Sequence, residues 1–116
     1  MEKPHKKLNV WKKAVELSIL VYRVTEGFPK SELYGLVGQM RRAAVSIPSN
    51  IAEGAARKGS KEFSYFVNVA RGSLSELDTH VEISRGLGFL SNSDAEVLDE
   101  MMGEIDKMLY GLVKQL

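Results

Sequence analysis

Three features of the sequence predict an all-α fold, an antiparallel up-down-up-down four-helix bundle occupying residues 1–116 as a single domain. Apolar residues recur at alternating steps of three and four through four segments, the spacing that places them on one helix face. The segments are separated by short punctuation: Phe28-Pro29, the glycine-flanked stretch 54–59, and the pair Gly86 and Gly88. No stretch alternates with the period of a strand, and there is no internal repeat, low-complexity tract or linker. Helices are expected at about 9–27, 32–56, 61–86 and 94–115, and short connections make sequential neighbours antiparallel.

The first segment follows a basic arm, residues 1–7, which is expected to fray. Asn9 is the expected N-cap. Lys12, Glu16, Arg23 and Glu26 share one narrow face, and nearly everything else is apolar or small. The apolar arc spans roughly 220°, about twice what a surface helix needs against one core. The surplus side, with Trp11, Val15, Ile19 and Tyr22, is expected to be covered by another subunit; the alternative is that Trp11 and Tyr22 cap the edge of a lone bundle.

Phe28-Pro29 turns the chain into the second segment, whose early part is weakened by Gly35 and Gly38 and is expected to be 3₁₀ or frayed. Its centre is QMRRAAVSIPSNIAEG, residues 39–54. Leu36, Met40, Ala43, Ala44, Ile47, Ile51 and Gly54 line one side. Gln39, Arg42, Ser46, Asn50 and Glu53 form a polar strip, and Arg41, Val45, Pro48 and Ala52 fall on a third side. Pro48 removes one backbone bond and strands the carbonyl of Ala44, at about 3 kcal/mol or more. That carbonyl needs a donor, from a Ser or Asn of the same turn or of a neighbour; otherwise the helix stops near Ile47 and restarts.

Ser60 is the expected N-cap of the third segment, whose core stripe is Phe63, Val67, Ala70, Leu74, Leu77, Val81 and Ser84. Gly72, mid-helix, implies a close approach of a neighbour. Tyr65, Val69, Gly72 and Ile83 make a second, weaker apolar strip, so Tyr65 and Val69 join the expected subunit contacts. In the fourth segment Ser93 with Glu96 reads as a capping box, and Leu98, Met101, Ile105, Met108, Leu109, Leu112 and Leu116 form the apolar face.

Cysteine is absent, which excludes disulfides, thiolate metal sites and cysteine nucleophiles and suits a reducing cytosol. No stretch approaches the ~20 apolar residues of a membrane span, and residues 1–11 lack a signal-peptide h-region. A cytoplasmic protein without a membrane partner is expected. Net charge is +1. It is unevenly placed: residues 1–61 carry twelve Lys and Arg against five Asp and Glu, and residues 62–116 carry four against ten. Either the folded surface is bipolar, or basic and acidic helices lie side by side and neutralise each other.

The search for chemistry returns no catalytic, metal or cofactor site. His80 with Glu76 one turn before it is read as a solvated surface pair, since the Glu-x-x-His element of di-metal bundles is missing. Gly86-x-Gly88 lacks the strand and third glycine of a dinucleotide fingerprint. A polar seam is expected where Gln39, Ser46, Asn50 and Glu53 meet Arg71, Ser73 and Glu76 of the next helix. It either fixes register or forms a substrate pocket, and the register role is favoured because nothing there is a nucleophile with an oriented base. Lys12, Lys13, Arg41, Arg42, Arg57, Lys58 and Lys61 are candidate nucleic-acid contacts; antiparallel helices bring the arm, Arg57, Lys58 and Lys61 to one end. The competing reading is that these charges are only solvated. No exposed aromatics are expected between them.

The run RRAAVSIPSNIAEG, with FP before it and FVNVARGSLSEL after it, resembles the four-helix-bundle proteins encoded by intervening sequences in bacterial 23S rRNA genes. The accessory variability determinant of diversity-generating retroelements is similar to these. The resemblance covers Leu8 to about Leu77. The matching positions are Trp11, Arg41, Arg42, Ser46, Pro48, Asn50, Glu53, Gly54, Arg57, Gly72 and Ser73. It implies a protomer that assembles into a ring, most often a homopentamer, with RNA, DNA, a reverse transcriptase or a ribosomal component as partner. The acidic second half departs from the more basic retroelement proteins and bears on a direct RNA role. The expected function is therefore a non-catalytic, oligomeric nucleic-acid-binding accessory protein, with a protein–protein scaffold lacking nucleic-acid affinity as the alternative.

Overall fold

The structure is a computed structural model that describes residues 1–116. Four helices make up the fold: α1 (Asn9–Thr25), α2 (Leu36–Ala55), α3 (Ser60–Gly86) and α4 (Asn92–Gln115). Each packs on its neighbours around the square, α1 on α2, α2 on α3, α3 on α4 and α4 on α1, with no close approach along either diagonal. The cross-helix contacts give the directions. Ser18 lies against Ala44 and Tyr22 against Arg41; Ser46 lies against Ser73 and Gly54 against Phe63; Arg71 is near Asp106 and Arg85 is bonded to Asn92; Lys13 meets Glu104 and Val10 is near Leu112, so every adjacent pair is antiparallel. The bundle measures 43 × 25 × 19 Å.

Twenty-two buried apolar residues form one core. On α3 the buried positions are Val67, Ala70, Leu74, Leu77, His80, Val81 and Ser84, with Phe63 packed at the edge. On α4 the stripe is rotated toward Ala95, Leu98, Met102, Ile105 and Leu109, and Leu116 is exposed. At one end of the bundle Phe28 and Phe89 close the core, ring against ring at 5.8 Å.

Pro48 does not break α2, which runs through it without interruption. The Ala44 carbonyl that loses its helical donor is reached by the Ser18 hydroxyl of α1 at 3.0 Å. That hydroxyl lies equally close, 3.0 Å, to the Ala14 carbonyl of its own helix, so one proton is shared between two acceptors. Asn50 donates from its side chain to the Ser46 carbonyl at 2.8 Å, a further bond across the turn that contains the proline. Pro48 itself is buried, in contrast to the third-side position expected for it.

Several expected boundaries move. The second helix begins at Leu36, four residues later than expected, because the preceding residues form a 3₁₀ turn, Lys30–Glu32, and the Glu32 carboxylate accepts from the Leu36 amide at 3.2 Å. Leu8 and Gly59, rather than Asn9 and Ser60, are the extended residues that cap α1 and α3. Ser91, not Ser93, caps α4 by accepting from the Asp94 amide at 3.1 Å. α3 ends through Gly88, whose φ of +78° turns the chain so that the Phe89 amide reaches back to the Ser84 carbonyl.

The close helix approach is at Gly54, not Gly72. A Cβ at Gly54 would lie 2.9 Å from Phe66 Cβ and 3.2 Å from the Phe63 carbonyl oxygen, whereas one at Gly72 would meet nothing within 4 Å. Gly72 faces outward, away from both of its neighbouring helices.

Three stability measurements follow from this packing. Ser18→Ala leaves the Ala44 carbonyl unpaired and is expected to lower unfolding free energy by about 1–3 kcal/mol; with Pro48→Ala added, a backbone amide returns to that carbonyl and most of the loss is recovered. An additive double-mutant cycle in urea denaturation would show that the two positions are uncoupled. Gly54→Ala is expected to destabilise by about 1–3 kcal/mol through overpacking. Gly72→Ala is expected to stabilise by about 0.5–1 kcal/mol through helix propensity.

Candidate functional site

The antiparallel order brings the start of α1, the end of α2, the start of α3 and the end of α4 to one end of the bundle. The arm is part of that end. Residues Pro4–Lys7 form a 3₁₀ turn that packs on α1 and α2, and the His5 ring stands edge-on to Trp11 at 5.0 Å. The arm is thus folded, contrary to the fraying expected, and it covers part of Trp11. Lys3, Lys6, Lys7, Lys12, Lys58 and Lys61 are all exposed at this end, and none of them is in an ion pair.

Other expected basic contacts are engaged or lie elsewhere. Lys13 is held by Glu104 of α4 at 2.6 Å. The hydrogen bond to that carboxylate, followed by its charge, raises the Lys13 ammonium above its ordinary range. The contribution of this pair is therefore present at neutral pH and is lost only as alkali passes the raised value. Arg57 binds Glu53 one turn back at 2.6 Å and lays its guanidinium over the Phe66 ring, 5.0 Å from the centroid. Arg41 is at the opposite end of α2, where it braces the end of α1. Its Nε donates to the Thr25 hydroxyl at 3.1 Å, its Nη2 donates to the Tyr22 carbonyl at 3.3 Å, and its guanidinium covers the Tyr22 ring at 4.5 Å. Arg42, beside it in sequence, is exposed.

The polar seam is narrower than expected. Ser46 and Ser73 meet between α2 and α3 with their hydroxyls 2.8 Å apart, and the Asn50 amide donates to Ser46 Oγ at 2.9 Å. The remaining members do not join them. Gln39 is exposed, Glu53 binds Arg57, and Arg71 faces Asp106 and the Tyr110 ring on the α4 side. Glu76 lies 3.7 Å from His80. The reason is space: α2 and α3 come close enough that only small side chains fit between them, and longer ones swing to the rim.

His80 is not on the surface. Its side chain is 8% exposed, its Nδ1 has no hydrogen-bond partner, and only its Nε2 edge reaches toward Glu76. No three His, Asp or Glu side chains converge as a metal site.

The charge asymmetry is laid out along the bundle. Asp78, Glu82, Asp99 and Asp106 border a groove of about 480 Å³ between α3 and α4, floored by Leu74 and Met102 and widened by Gly103. Asp78, Glu82 and Asp99 lie toward the end opposite the lysines. Only two ion pairs, Lys13–Glu104 and Arg71–Asp106, tie α4 to its neighbours.

Among the expected subunit contacts, Ile19 and Tyr22 are 47% and 44% exposed, and Val15 is half-buried. Val45 of α2 is also exposed, on the side of the helix that carries Arg41. Tyr65, 63% exposed, stands apart from them at the start of α3, and Val69 one turn on is half-buried. Tyr65 packs edge-on against Phe66 with centroids 5.1 Å apart. An exposed aromatic therefore does sit among the basic residues of this end, next to Arg57 and Lys61. Its signal in the sequence is the Lys61-x-x-x-Tyr65 step, which sets a cation and a ring one turn apart on the same face.

A square of antiparallel helices with a proline-bearing second helix defines the class of the protein as a four-helix bundle. The sequence pattern of the 23S rRNA-intervening sequence proteins matches residues 6–111, and the chain belongs to that family. Its fold is similar to the crystal structure of a protein of unknown function from the S23 ribosomal protein family of Bacteroides thetaiotaomicron. The TM-score is 0.81 at 20% identity, over 90% of this chain and 98% of that one. No curated protein matches the chain. No helix is long and apolar enough to cross a membrane.

Proposed function

We propose that the protein is a non-catalytic homo-oligomer that binds RNA or DNA through its lysine-rich end. The observation that carries this reading is the collection of Lys3, Lys6, Lys7, Lys12, Lys58 and Lys61 at one end, without carboxylate partners. The placement runs against helix stability. The first turn of α1 contains no acidic residue, and Lys12 and Lys61 sit close to helix N-termini, where the backbone dipole disfavours cations. Phosphate would relieve both the mutual repulsion and the dipole mismatch. In an assembly, the exposed side of α1 with Ile19 and Tyr22, together with Val45 of α2, would be the face shared between copies. The resemblance to ring-forming relatives makes a pentamer the favoured number. Five copies would place five lysine-rich ends on one rim.

A second reading, a protein–protein scaffold without nucleic-acid affinity, is favoured by the α3–α4 groove. Four carboxylates there repel a polyanion and attract a basic partner, such as a ribosomal component or a reverse transcriptase. Retention of one protein from lysate after nuclease treatment, by a protein that binds no oligonucleotide, would select it.

Two measurements test the first reading. Nucleic-acid affinity at low salt is expected to fall steeply with ionic strength, and Lys58→Ala with Lys61→Ala is expected to weaken binding and flatten the log–log salt slope by about 1–2. Absence of binding at low salt would overturn it. In sedimentation, the wild type is expected to run as a multiple of 12.9 kDa and Ile19→Glu as a smaller species. A compact wild-type monomer at micromolar concentration would remove the oligomer.

A further inference from the structure

We infer that the cleft at the start of α3 is a stacking subsite for one base of a single-stranded nucleic acid, with Tyr65 as the platform and Arg57 and Lys61 as flanking cations. The inference rests on the nucleic-acid reading above and specifies the form of nucleic acid that this end takes.

The cleft has a volume of about 360 Å³ and is bordered by Arg57, Lys61, Glu62, Tyr65 and Phe66. Its parts are held in place. Phe66 is half-buried, and its Cβ lies 2.9 Å from where a Cβ on Gly54 would stand, so the backbone that carries this ring is pressed close against α2. Arg57 is fixed twice, by the 2.6 Å bond to Glu53 and by the Phe66 ring beneath its guanidinium. Tyr65 stands nearly perpendicular to Phe66, at 84°, which buttresses the tyrosine from one side. Most of Tyr65 remains open to solvent.

A flat, exposed π-face between two cations matches the chemistry of single strands. The base stacks on the ring, and the phosphates on either side meet positive charge. Lys58, next to Arg57 in the chain and unpaired, extends the cationic track. Glu62 is the one carboxylate at the cleft, set beside Lys61 in the chain. A second copy of the chain is the weaker occupant. A stable interface needs about 800 Å² from each partner. Here a single ring is surrounded by Arg57, Lys61 and Glu62, and Val69 one turn away is already half-buried. A duplex is excluded by the same chemistry, because its bases are already stacked.

The test compares short labelled oligo(dT), oligo(U) and a duplex of equal length, titrated at low salt against the full chain and its variants, with molar mass measured on each. The wild type is expected to prefer the single strands. Tyr65→Ala is expected to weaken binding to them about tenfold, with no change in duplex affinity, in salt slope or in assembly. Tyr65→Phe is expected to keep wild-type affinity. Loss on only one of the two oligonucleotides would support the subsite and show which of the two strands it takes. If Tyr65→Ala binds single strands as the wild type does, the stacking subsite is wrong and the lysine-end reading survives. If Tyr65→Ala changes the molar mass, Tyr65 is a subunit contact and the subsite is wrong. If the wild type binds none of the three probes, both readings fall.

Discussion

The hydrogen bond from Ser18 to the Ala44 carbonyl is the constraint on which the rest of the bundle depends. A proline in the body of α2 leaves a buried acceptor without its amide, a defect the helix cannot mend alone. The donor comes from the next helix, at 3.0 Å, and it comes at one level only. A slide of α1 along α2 by a single turn would leave the carbonyl bare. Register between the first two helices is thus set by a polar contact, whereas the surrounding aliphatic side chains would tolerate neighbouring alignments. The close fit of Gly54 against Phe63 and Phe66 does for α2 and α3 what Ser18 does for α1 and α2. Together they fix three helices, and α4 closes the square through apolar burial with only two ion pairs to guide it.

That arrangement has an electrostatic consequence. With the first three helices aligned, the lysines of the arm, of α1 and of the α2–α3 loop gather at one end, and Asp78, Glu82 and Asp99 lie toward the other, while Glu104 and Asp106 are taken up by Lys13 and Arg71. The net charge of +1 conceals this separation. At a long dimension of 43 Å the two ends lie several Debye lengths apart at physiological salt, so each acts on its surroundings almost independently. The two readings of function divide along the same line, one resting on the cationic end and the other on the acidic groove.

Much of the fold was legible because the periodicity is regular. The α3 stripe from Val67 to Ser84 is buried at every position that the spacing selects. The need for a donor at Ala44 was also readable, since proline chemistry is local; that the donor is Ser18 was not, because it requires knowing which helices touch and at what level. Positions away from the core stripes were the least readable. His80 was assigned to solvent by its angle on an isolated helix, yet within the bundle it is buried. The same omission hid the pairing of Phe66 with Arg57 and the narrowness of the Ser46–Ser73–Asn50 contact, since both depend on the distance between helix axes. Gly72 was given a packing role on propensity grounds, and that role belongs to Gly54.

The sharing of one hydroxyl proton between Ala14 and Ala44 bears on how the chain reaches its native state. Ser18 has a partner within its own helix before α2 exists, so α1 can form with that side chain already satisfied. α2 has no such option: its middle turn is complete only when α1 is alongside. The leading half of the molecule is therefore a hairpin in which the later helix depends on the earlier one for a donor that it cannot supply itself.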